Sequence, residues 1–213
     1  MAMAGSSSKT PLAIPRSACR FRLSFSAAVS RLVVSAEHIG GYQRALFGGW
    51  IDADGDGFNT RAEVLMSESK VEVTWNTRRT ILTGRWYSLY DAATWTKASD
   101  VDIDHVVPLA EAWRSGAWSW SSARRSSYAN DLGVAFTLRA VTDNVNQSKS
   151  DADPSNWMPP LRTFWCTYLG DWVAIKARWQ LSMDQSEWGR IKNLLTDECP
   201  GWRIDPFDAA PAA

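Results

Sequence analysis

The segment 101–113, VDIDHVVPLAEAW, places Asp104 directly before His105, one of only two histidines in the chain. A neutral imidazole whose second nitrogen is bound to a carbonyl group can act as a general base near neutral pH. Successive residues of a strand point to opposite faces, so Asp104 could bind a metal ion while His105 faces a water molecule. The alternative is a histidine that only fills a strand end, and this segment alone leaves both interpretations open.

A second polar group follows the segment TLRAV, where Asn144, Asn146 and Lys149 lie at the start of an expected short helix. Strand, loop, strand and helix would form a ββα unit in which Asp104 and Asn146 meet at one cation. Magnesium prefers few protein oxygens and several waters, which suits a site with two protein ligands. We therefore expect a divalent metal cofactor, Mg²⁺ in the first place, with Mn²⁺ and Ca²⁺ as alternatives. A zinc site is disfavoured, because the chain has no CxxC motif and only two histidines.

The loop DADGDGFNTRAE has the ligand spacing of a calcium-binding EF-hand loop. Positions 1, 3, 5, 6 and 12 of such a loop are occupied by Asp52, Asp54, Asp56, Gly57 and Glu63. Against this interpretation, Asn59 stands where an EF-hand has an apolar residue, and the preceding segment is too rich in glycine for an entering helix. A calcium loop and a surface Asp-Gly turn therefore both stay open.

These residues must be positioned by a mixture of strands and helices. Alternating or β-branched patterns predict strands at 70–75, 80–90, 101–107 and 136–141. Helical patterns cover 110–118, 121–132, 143–150, 162–181 and 183–195. The expected N-caps are Ser121 or Ser122, Thr142 and Asp184. The elements do not alternate as βαβ units, so the predicted fold class is α+β.

The composition is that of one globular domain, since 45% of the 213 residues are hydrophobic and 22% are charged. The predicted organisation is a leader or disordered arm over 1–36, a folded domain over 37–205 and a flexible tail over 206–213. The leader could be a degraded signal peptide. The sequence has no run of 18 apolar residues, so a membrane-spanning helix is not expected. Most of the thirteen tryptophans are expected in the core and at its rim.

Charge and cysteine content restrict the partners and the compartment. Residues 1–40 carry five basic groups and one acidic group, a balance of +4, and the remainder holds 18 basic and 22 acidic groups, a balance of −4. A folded region with a net negative charge does not bind polyanions in general, so contact with nucleic acid would need a local basic patch and a metal ion. Cys166 and Cys199 flank a helical stretch and could form a disulfide, with two free thiols as the alternative.

The motifs DIDHVVPLAEAW, YANDL and LRAVTDNVNQSKSDADPSNWMPP occur in the order seen in the HNH endonucleases, also called His-Me finger or ββα-metal nucleases. The chain resembles in particular the small, usually secreted bacterial HNH proteins related to the C-terminal domain of GmrSD-type restriction enzymes. The resemblance extends from about Tyr42 to Trp202 and includes LFGGWIDADGDGFNTRAEVL and GRWYSLYD. It implies a ββα-metal core with additional helices, tryptophan-rich helices near the C-terminus and an extracellular location.

The resemblance also implies roles for individual residues of the nuclease motif. His105 would be the general base, and Asp104 and Asn146 would be the metal ligands. Asn130 would be the polar residue that braces the loop of the histidine. Lys149 would lie near the phosphate.

The segment NTRAEV is a regular companion of the nuclease motif in this subgroup. Arg61 would therefore bind the scissile phosphate, and Glu63 would orient the phosphate or the waters of the metal. The alternative for Arg61 and Glu63 is an ion pair at the surface. Asn144 is a further candidate for contact with the metal or its waters. Two positions depart from the family pattern: Phe58 replaces a usual cysteine, and Arg139 occupies a strand position that is usually apolar.

The predicted function is a metal-dependent endonuclease that hydrolyses phosphodiester bonds in nucleic acid, DNA more readily than RNA, with little sequence preference. Neither a membrane nor an obligatory protein partner is predicted. The main alternative is a secreted calcium-dependent binding module that uses the loop 52–63 and a tryptophan-rich surface for carbohydrate or cell wall. The third alternative is an inactive interaction protein with a nuclease fold. The intact motif residues argue against it: Asp104, His105, Asn130, Asn146 and Lys149.

Overall fold

Seven short strands and six α-helices are interspersed along the described part of the protein, residues 23–24 and 32–204 of the computed structural model. The strands are β1 Leu23–Ser24, β2 Thr74–Trp75, β3 Ile81–Tyr87, β4 Thr94–Lys97, β5 Val101–His105, β6 Leu138–Thr142 and β7 Arg203–Ile204. The helices are α1 Thr60–Glu68, α2 Leu109–Arg114, α3 Ser122–Ala129, α4 Asp143–Lys149, α5 Trp165–Trp179 and α6 Gln185–Asp197. This mixture confirms the predicted α+β class. None of these helices is both long and apolar enough to cross a membrane.

Strands β5 and β6 form an antiparallel pair in which all five residues of each strand are in continuous register. Helix α4 begins directly after β6 and packs against both strands. The side chains of Val101 and Ile103 enter a core that they share with α1 and β3, whereas Asp102 and Asp104 contact α4. The alternation along β5 therefore separates an apolar face from a face of carboxylates.

A second sheet, in the order β2–β3–β4, packs beside α1. The indole Nε1 of Trp86 donates a hydrogen bond of 2.7 Å to the carbonyl oxygen of Leu65 in α1. Gly84 allows this close packing, since a Cβ atom there would lie 2.7 Å from the Trp86 ring and 2.8 Å from Oγ of Ser69. Strand β4 has no counterpart in the sequence prediction, because its four residues are largely exposed and show no apolar alternation.

The larger core lies among α2, α3, α5 and α6 and contains the fully buried Trp172 and Trp179. Within it, the ammonium group of Lys176 lies 2.7 Å from a carboxylate oxygen of Glu111 and 2.7 Å from one of Glu187. A buried cation whose partners lie on two other helices loses one of them if either helix moves, which leaves a buried charge incompletely paired. This contact therefore fixes α2, α5 and α6 relative to one another.

Two of the expected helix caps are confirmed and one is different. The side chains of Ser121 and Asp184 accept hydrogen bonds from backbone N–H groups in the first turns of α3 and α6. Thr142 precedes α4, but its hydroxyl donates to the carboxylate of Asp91 and accepts from the indole nitrogen of Trp95. A tertiary contact with the second sheet has therefore taken the place of the local cap.

Some residues of the expected leader over 1–36 are described, and they contact the rest of the protein. Backbone hydrogen bonds of 2.9 Å join Val33 and Ser35 to Met183, so this end of the expected leader lies against the body of the protein. Strand β1, also within the expected leader, pairs with β7. The other residues of the expected leader, 1–22 and 25–31, and the expected tail, 206–213, lie outside the described residues.

A disulfide joins Cys166 of α5 to Cys199, which lies just after α6. The sequence allowed either this disulfide or two free thiols, and the structure has the disulfide. The bridge links residues separated by 33 positions, so it restricts a long stretch of the unfolded chain.

Replacing both cysteines, as Cys166→Ser with Cys199→Ser, is expected to destabilise the protein through this lost restriction. The free energy of unfolding should fall by about 3–4 kcal/mol, as the loop-entropy relation gives for a loop of this length. Urea unfolding of the double variant and of the oxidised parent protein measures the difference. Equal stability of the two proteins would show that the bridge adds nothing to the fold.

Candidate active site

His105 lies at the end of β5, on the face opposite to Asp104. Its Nε2 atom is 2.9 Å from the carbonyl oxygen of Ala129, and its ring stacks on the indole of Trp50 at a centroid distance of 5.2 Å. A carbonyl oxygen only accepts hydrogen bonds, so Nε2 carries the proton and Nδ1 keeps the lone pair. The residue is only 7% exposed. The histidine is thus fixed in one orientation with Nδ1 as its basic atom.

The surroundings of His105 keep its imidazole neutral. Burial is the largest cause and lowers the pKa of His105 to about 4. The hydrogen bond to Ala129 raises the pKa, whereas the positive charges of Arg44 and Lys149 lower it further. At neutral pH the ring is therefore able to accept a proton.

On the other face of β5, the Asp104 carboxylate is bound to Lys149 of α4. The Nζ atom lies 2.7 Å from Oδ1 and 2.6 Å from Oδ2, and it donates a third hydrogen bond of 2.8 Å to the carbonyl oxygen of His105. The hydroxyl of Tyr90 donates to Oδ2 at 2.5 Å. Burial raises the pKa of Asp104, and the bonds from Lys149 and Tyr90 lower it. Two elements that are distant in sequence therefore hold this carboxylate in one orientation.

These contacts correct the role expected for Lys149. Its side chain is 0% exposed, and an ammonium group has three N–H donors. All three point to acceptors within the protein, namely both carboxylate oxygens of Asp104 and the carbonyl oxygen of His105. A phosphate group would find no donor here, so Lys149 positions the site instead of binding phosphate.

Asn146, one helical turn before Lys149, is oriented by Asp102. Its Nδ2 atom donates to Oδ2 of Asp102 at 3.2 Å, so the amide oxygen Oδ1 is the atom that could bind a metal. Asp102 is not among the residues that the sequence singled out. The signal for it is the strand period, because Asp102 lies two residues before Asp104 and therefore on the same face of β5.

Asp104, His105 and Asn146 line one cavity of about 510 Å³. An ionised carboxylate offers about four lone-pair positions, and in Asp104 three of them accept the bonds from Lys149 and Tyr90. The remaining lone-pair position of Asp104 and Oδ1 of Asn146 could therefore serve as two oxygen ligands of a metal ion. Such a set fits a hard cation that keeps most of its waters, as Mg²⁺ does.

Asn130 braces the surroundings of His105 and does not line this cavity. Its side chain forms hydrogen bonds of 2.7–3.1 Å with the hydroxyl of Thr60 and with the backbone at 49 and 51. It directly follows Ala129, whose carbonyl group holds the histidine ring. Asn130 therefore ties α3 to the start of α1 and to the segment that carries the stacked indole.

The family is shown by similarity to known proteins. A family model described as "GmrSD restriction endonucleases, C-terminal domain" matches residues 60–189, more than half of the 213-residue chain. The chain belongs to this family. An uncharacterized secreted protein of the fungus Arthroderma benhamiae is 48% identical over 156 residues, which cover 73% of this chain and 74% of that protein. No solved structure matches the chain.

In this GmrSD-family chain, the structure does not place Arg61 where the sequence predicted. Its Nη2 atom donates to the carbonyl oxygens of Ala98 at 3.0 Å and Val101 at 2.9 Å, which ties α1 to the start of β5. Glu63 lies half-buried in the first turn of α1, and neither it nor Arg61 lines the cavity of His105. Asn144 is exposed at the start of α4 and does not line it either.

The acidic loop before α1 is a separate candidate cation site of this GmrSD-family chain. Carboxylate oxygens of Asp52, Asp54 and Asp56 lie within 4.8 Å of one another, and Glu63 is not part of this group. Two backbone N–H groups of the loop donate to the Asp52 carboxylate at 2.8 and 2.9 Å. Bonds of this kind stabilise an Asp-Gly turn without a cation. The calcium loop therefore stays a prediction.

The neutral state of His105 can be measured directly by NMR. The chain has only two histidines, so comparison with a His38→Gln variant assigns the imidazole signal of His105. Because burial disfavours the imidazolium ion, we expect a midpoint at about pH 4. A midpoint at about 6.5, the value of an unperturbed histidine, would contradict the buried environment.

Lys149→Met tests whether Lys149 is a structural partner of Asp104. The substitution leaves the carboxylate buried without its cation, so the free energy of unfolding at neutral pH should fall by about 3–5 kcal/mol. Chemical denaturation measures the loss, with Lys97→Met at an exposed position of β4 as the control. A loss as small as that expected of the control, within about 0.5 kcal/mol, would contradict the assigned role.

Proposed function

We propose that this protein is a metal-dependent endonuclease of the HNH type that hydrolyses phosphodiester bonds in nucleic acid, DNA more readily than RNA and with little sequence preference. The observation that carries the proposal is the meeting of a neutral His105 with Asp104 and Asn146 at one cavity. The order of β5, β6 and α4 along the chain supports the ββα-metal arrangement. Membership of a restriction endonuclease domain family supports nucleic acid as the substrate.

His105 supplies the general base in this proposal. Its Nδ1 atom accepts a proton from a water molecule, whose oxygen attacks phosphorus in line with the bond to the leaving 3′ oxygen. The carbonyl group of Ala129 and the indole of Trp50 hold the ring in the required tautomer and orientation. A phosphodiester bound in the cavity carries a negative charge, so it raises the pKa of His105 above that of the free protein and makes the imidazole a stronger base.

Asp104 and Asn146 are the residues that would hold a divalent metal ion, which when bound offsets the negative charge that develops on the phosphate and the leaving oxygen. Lys149 and Tyr90 keep the Asp104 carboxylate in one orientation. Asp102 does the same for the amide of Asn146. Each of the two ligands is therefore fixed by a residue that does not need to touch the substrate.

An extracellular place of action belongs to the proposal. The fungal relative carries the word "secreted" in its name. The disulfide of Cys166 and Cys199 suits an oxidising compartment, because cytosolic thiols are kept reduced. Both observations agree with the location that the motif resemblance implies.

A calcium-dependent binding module is the second candidate, and the convergence of Asp52, Asp54 and Asp56 favours it. In that case the acidic loop would carry the function and the cavity of His105 would have none. Calcium binding that is lost in Asp54→Ala, in a protein that does not hydrolyse nucleic acid, is the outcome specific to this candidate.

Plasmid nicking by the purified protein tests the endonuclease. His105→Ala is expected to slow nicking in Mg²⁺ or Mn²⁺ by roughly a hundred- to ten-thousand-fold, because the general base is lost. EDTA should stop nicking by the parent protein, and added divalent metal should restore it. Circular dichroism of the variant verifies that the fold is retained.

Asp54→Ala is the matched control, since it removes a carboxylate outside the cavity. It should nick plasmid at the rate of the parent protein. Parallel assays on single-stranded DNA and RNA define the substrate class. Cleavage by His105→Ala at the parent rate would contradict the assignment of the base.

A further inference from the structure

Arg44 lies between two cavities that meet at His105. One is the cavity of about 510 Å³ that Asp104 and Asn146 line, and the other, of about 130 Å³, is lined by Trp50 and by the loop before it. Arg44 and His105 contribute to the lining of both. Arg44 is exposed, so its guanidinium group can reach a ligand in either cavity.

The charges around the larger cavity leave Arg44 as its uncompensated cation among the described residues. The carboxylate of Asp104 is paired with Lys149. That of Asp151 lies 2.7 Å from Arg114, which also pairs with Glu37 and Glu111. In the described ranges, no hydrogen bond or ion pair engages the guanidinium group of Arg44. An anion that enters this cavity therefore meets a positive charge whose donors are available.

The segment that carries Arg44 is held firmly to the rest of the protein. Arg44 begins a short 3-10 helix, Arg44–Phe47, whose last residue is fully buried. Nε of Arg125 donates to the carbonyl oxygen of Leu46 at 3.0 Å, and the Asn130 side chain bonds to the backbone just beyond, at 49 and 51. Helix α3 thus fixes the backbone of Arg44 in place, which lowers the entropy lost when a ligand binds.

We propose that Arg44 forms a binding site for a phosphodiester group of the nucleic acid, beside the basic nitrogen of His105. The planar guanidinium group presents paired N–H donors that match two oxygens of one phosphate. Arg44 thereby takes the role that the sequence gave to Arg61, whose Nη2 atom is bonded to backbone carbonyl oxygens and which lines neither cavity. This inference rests on the proposed endonuclease function and names the residue that positions its substrate.

The test compares three variants in plasmid cleavage with Mg²⁺. Arg44→Ala is expected to lower kcat/KM by roughly 10- to 100-fold, the usual effect of losing hydrogen bonds to a charged group. Arg44→Lys keeps the positive charge but lacks the paired N–H donors of a guanidinium group, so its kcat/KM should fall less than that of Arg44→Ala. Arg190→Ala, which removes an exposed arginine of α6 outside both cavities, should cleave like the parent protein.

Chemical rescue separates binding by Arg44 from a structural effect. Guanidinium ion at low millimolar concentration is expected to restore part of the activity of Arg44→Ala and to leave Arg190→Ala unchanged. An Arg44→Ala variant that is inactive, folded and not rescued at any such concentration would contradict a phosphate contact.

A binding measurement makes the inference independent of turnover. In a His105→Ala background, fluorescence anisotropy with a labelled DNA duplex should show weaker binding when Arg44→Ala is added and no change when Arg190→Ala is added. Parent-like cleavage by His105→Ala would overturn the endonuclease mechanism. If His105→Ala is inactive but Arg44→Ala both cleaves and binds like Arg190→Ala, the phosphate site is wrong and the endonuclease stands.

Discussion

The buried ion pair of Lys149 and Asp104 is the constraint on which the site depends. One ammonium group bonds to both oxygens of a carboxylate and to the carbonyl oxygen of the next residue, so α4 cannot move along β5 without leaving a charge unpaired in the core. The same contact fixes the carboxylate, the end of the strand and the backbone of His105. Buried ion pairs often add little net stability over apolar residues of the same size, so we expect this pair chiefly to specify one arrangement of helix and strand.

Because successive residues of a strand point to opposite faces, the residues of β5 near this ion pair lie in two different environments. Asp102 and Asp104 lie on the side of α4, where polar partners orient them, and His105 lies on the side of Trp50, where an aromatic ring and a carbonyl group surround it. Carboxylate and imidazole are neighbours in sequence, yet the first is held among hydrogen-bond donors and the second is kept neutral by burial. The imidazole and the carboxylate therefore line one cavity without bonding to each other, as the proposed base and the proposed metal ligand must.

The grouping of the dipeptide 104–105 with Asn146 could be predicted, because the strand period and a helix that directly follows a strand are local patterns. The directions in which the side chains of Lys149 and Arg61 point could not be predicted. Both were expected near the phosphate, and both form hydrogen bonds within the protein instead. Whether a long charged side chain turns inward depends on acceptors that are remote in sequence, and no local pattern reveals those. Arg44 lies outside the motif that resembles the HNH nucleases, and it lines the same cavities as His105 only through the tertiary structure.

Cleavage in water enriched in ¹⁸O tests most directly the claim that this cavity activates a water molecule for attack on phosphorus. The parent protein would cut a defined DNA duplex and an RNA of the same sequence with Mg²⁺, and mass spectrometry would weigh the new ends. We expect one ¹⁸O atom in each new 5′-phosphate and an unlabelled 3′-hydroxyl group. Ends without ¹⁸O, or 2′,3′-cyclic phosphates on the RNA, would contradict hydrolysis by a water molecule that His105 deprotonates.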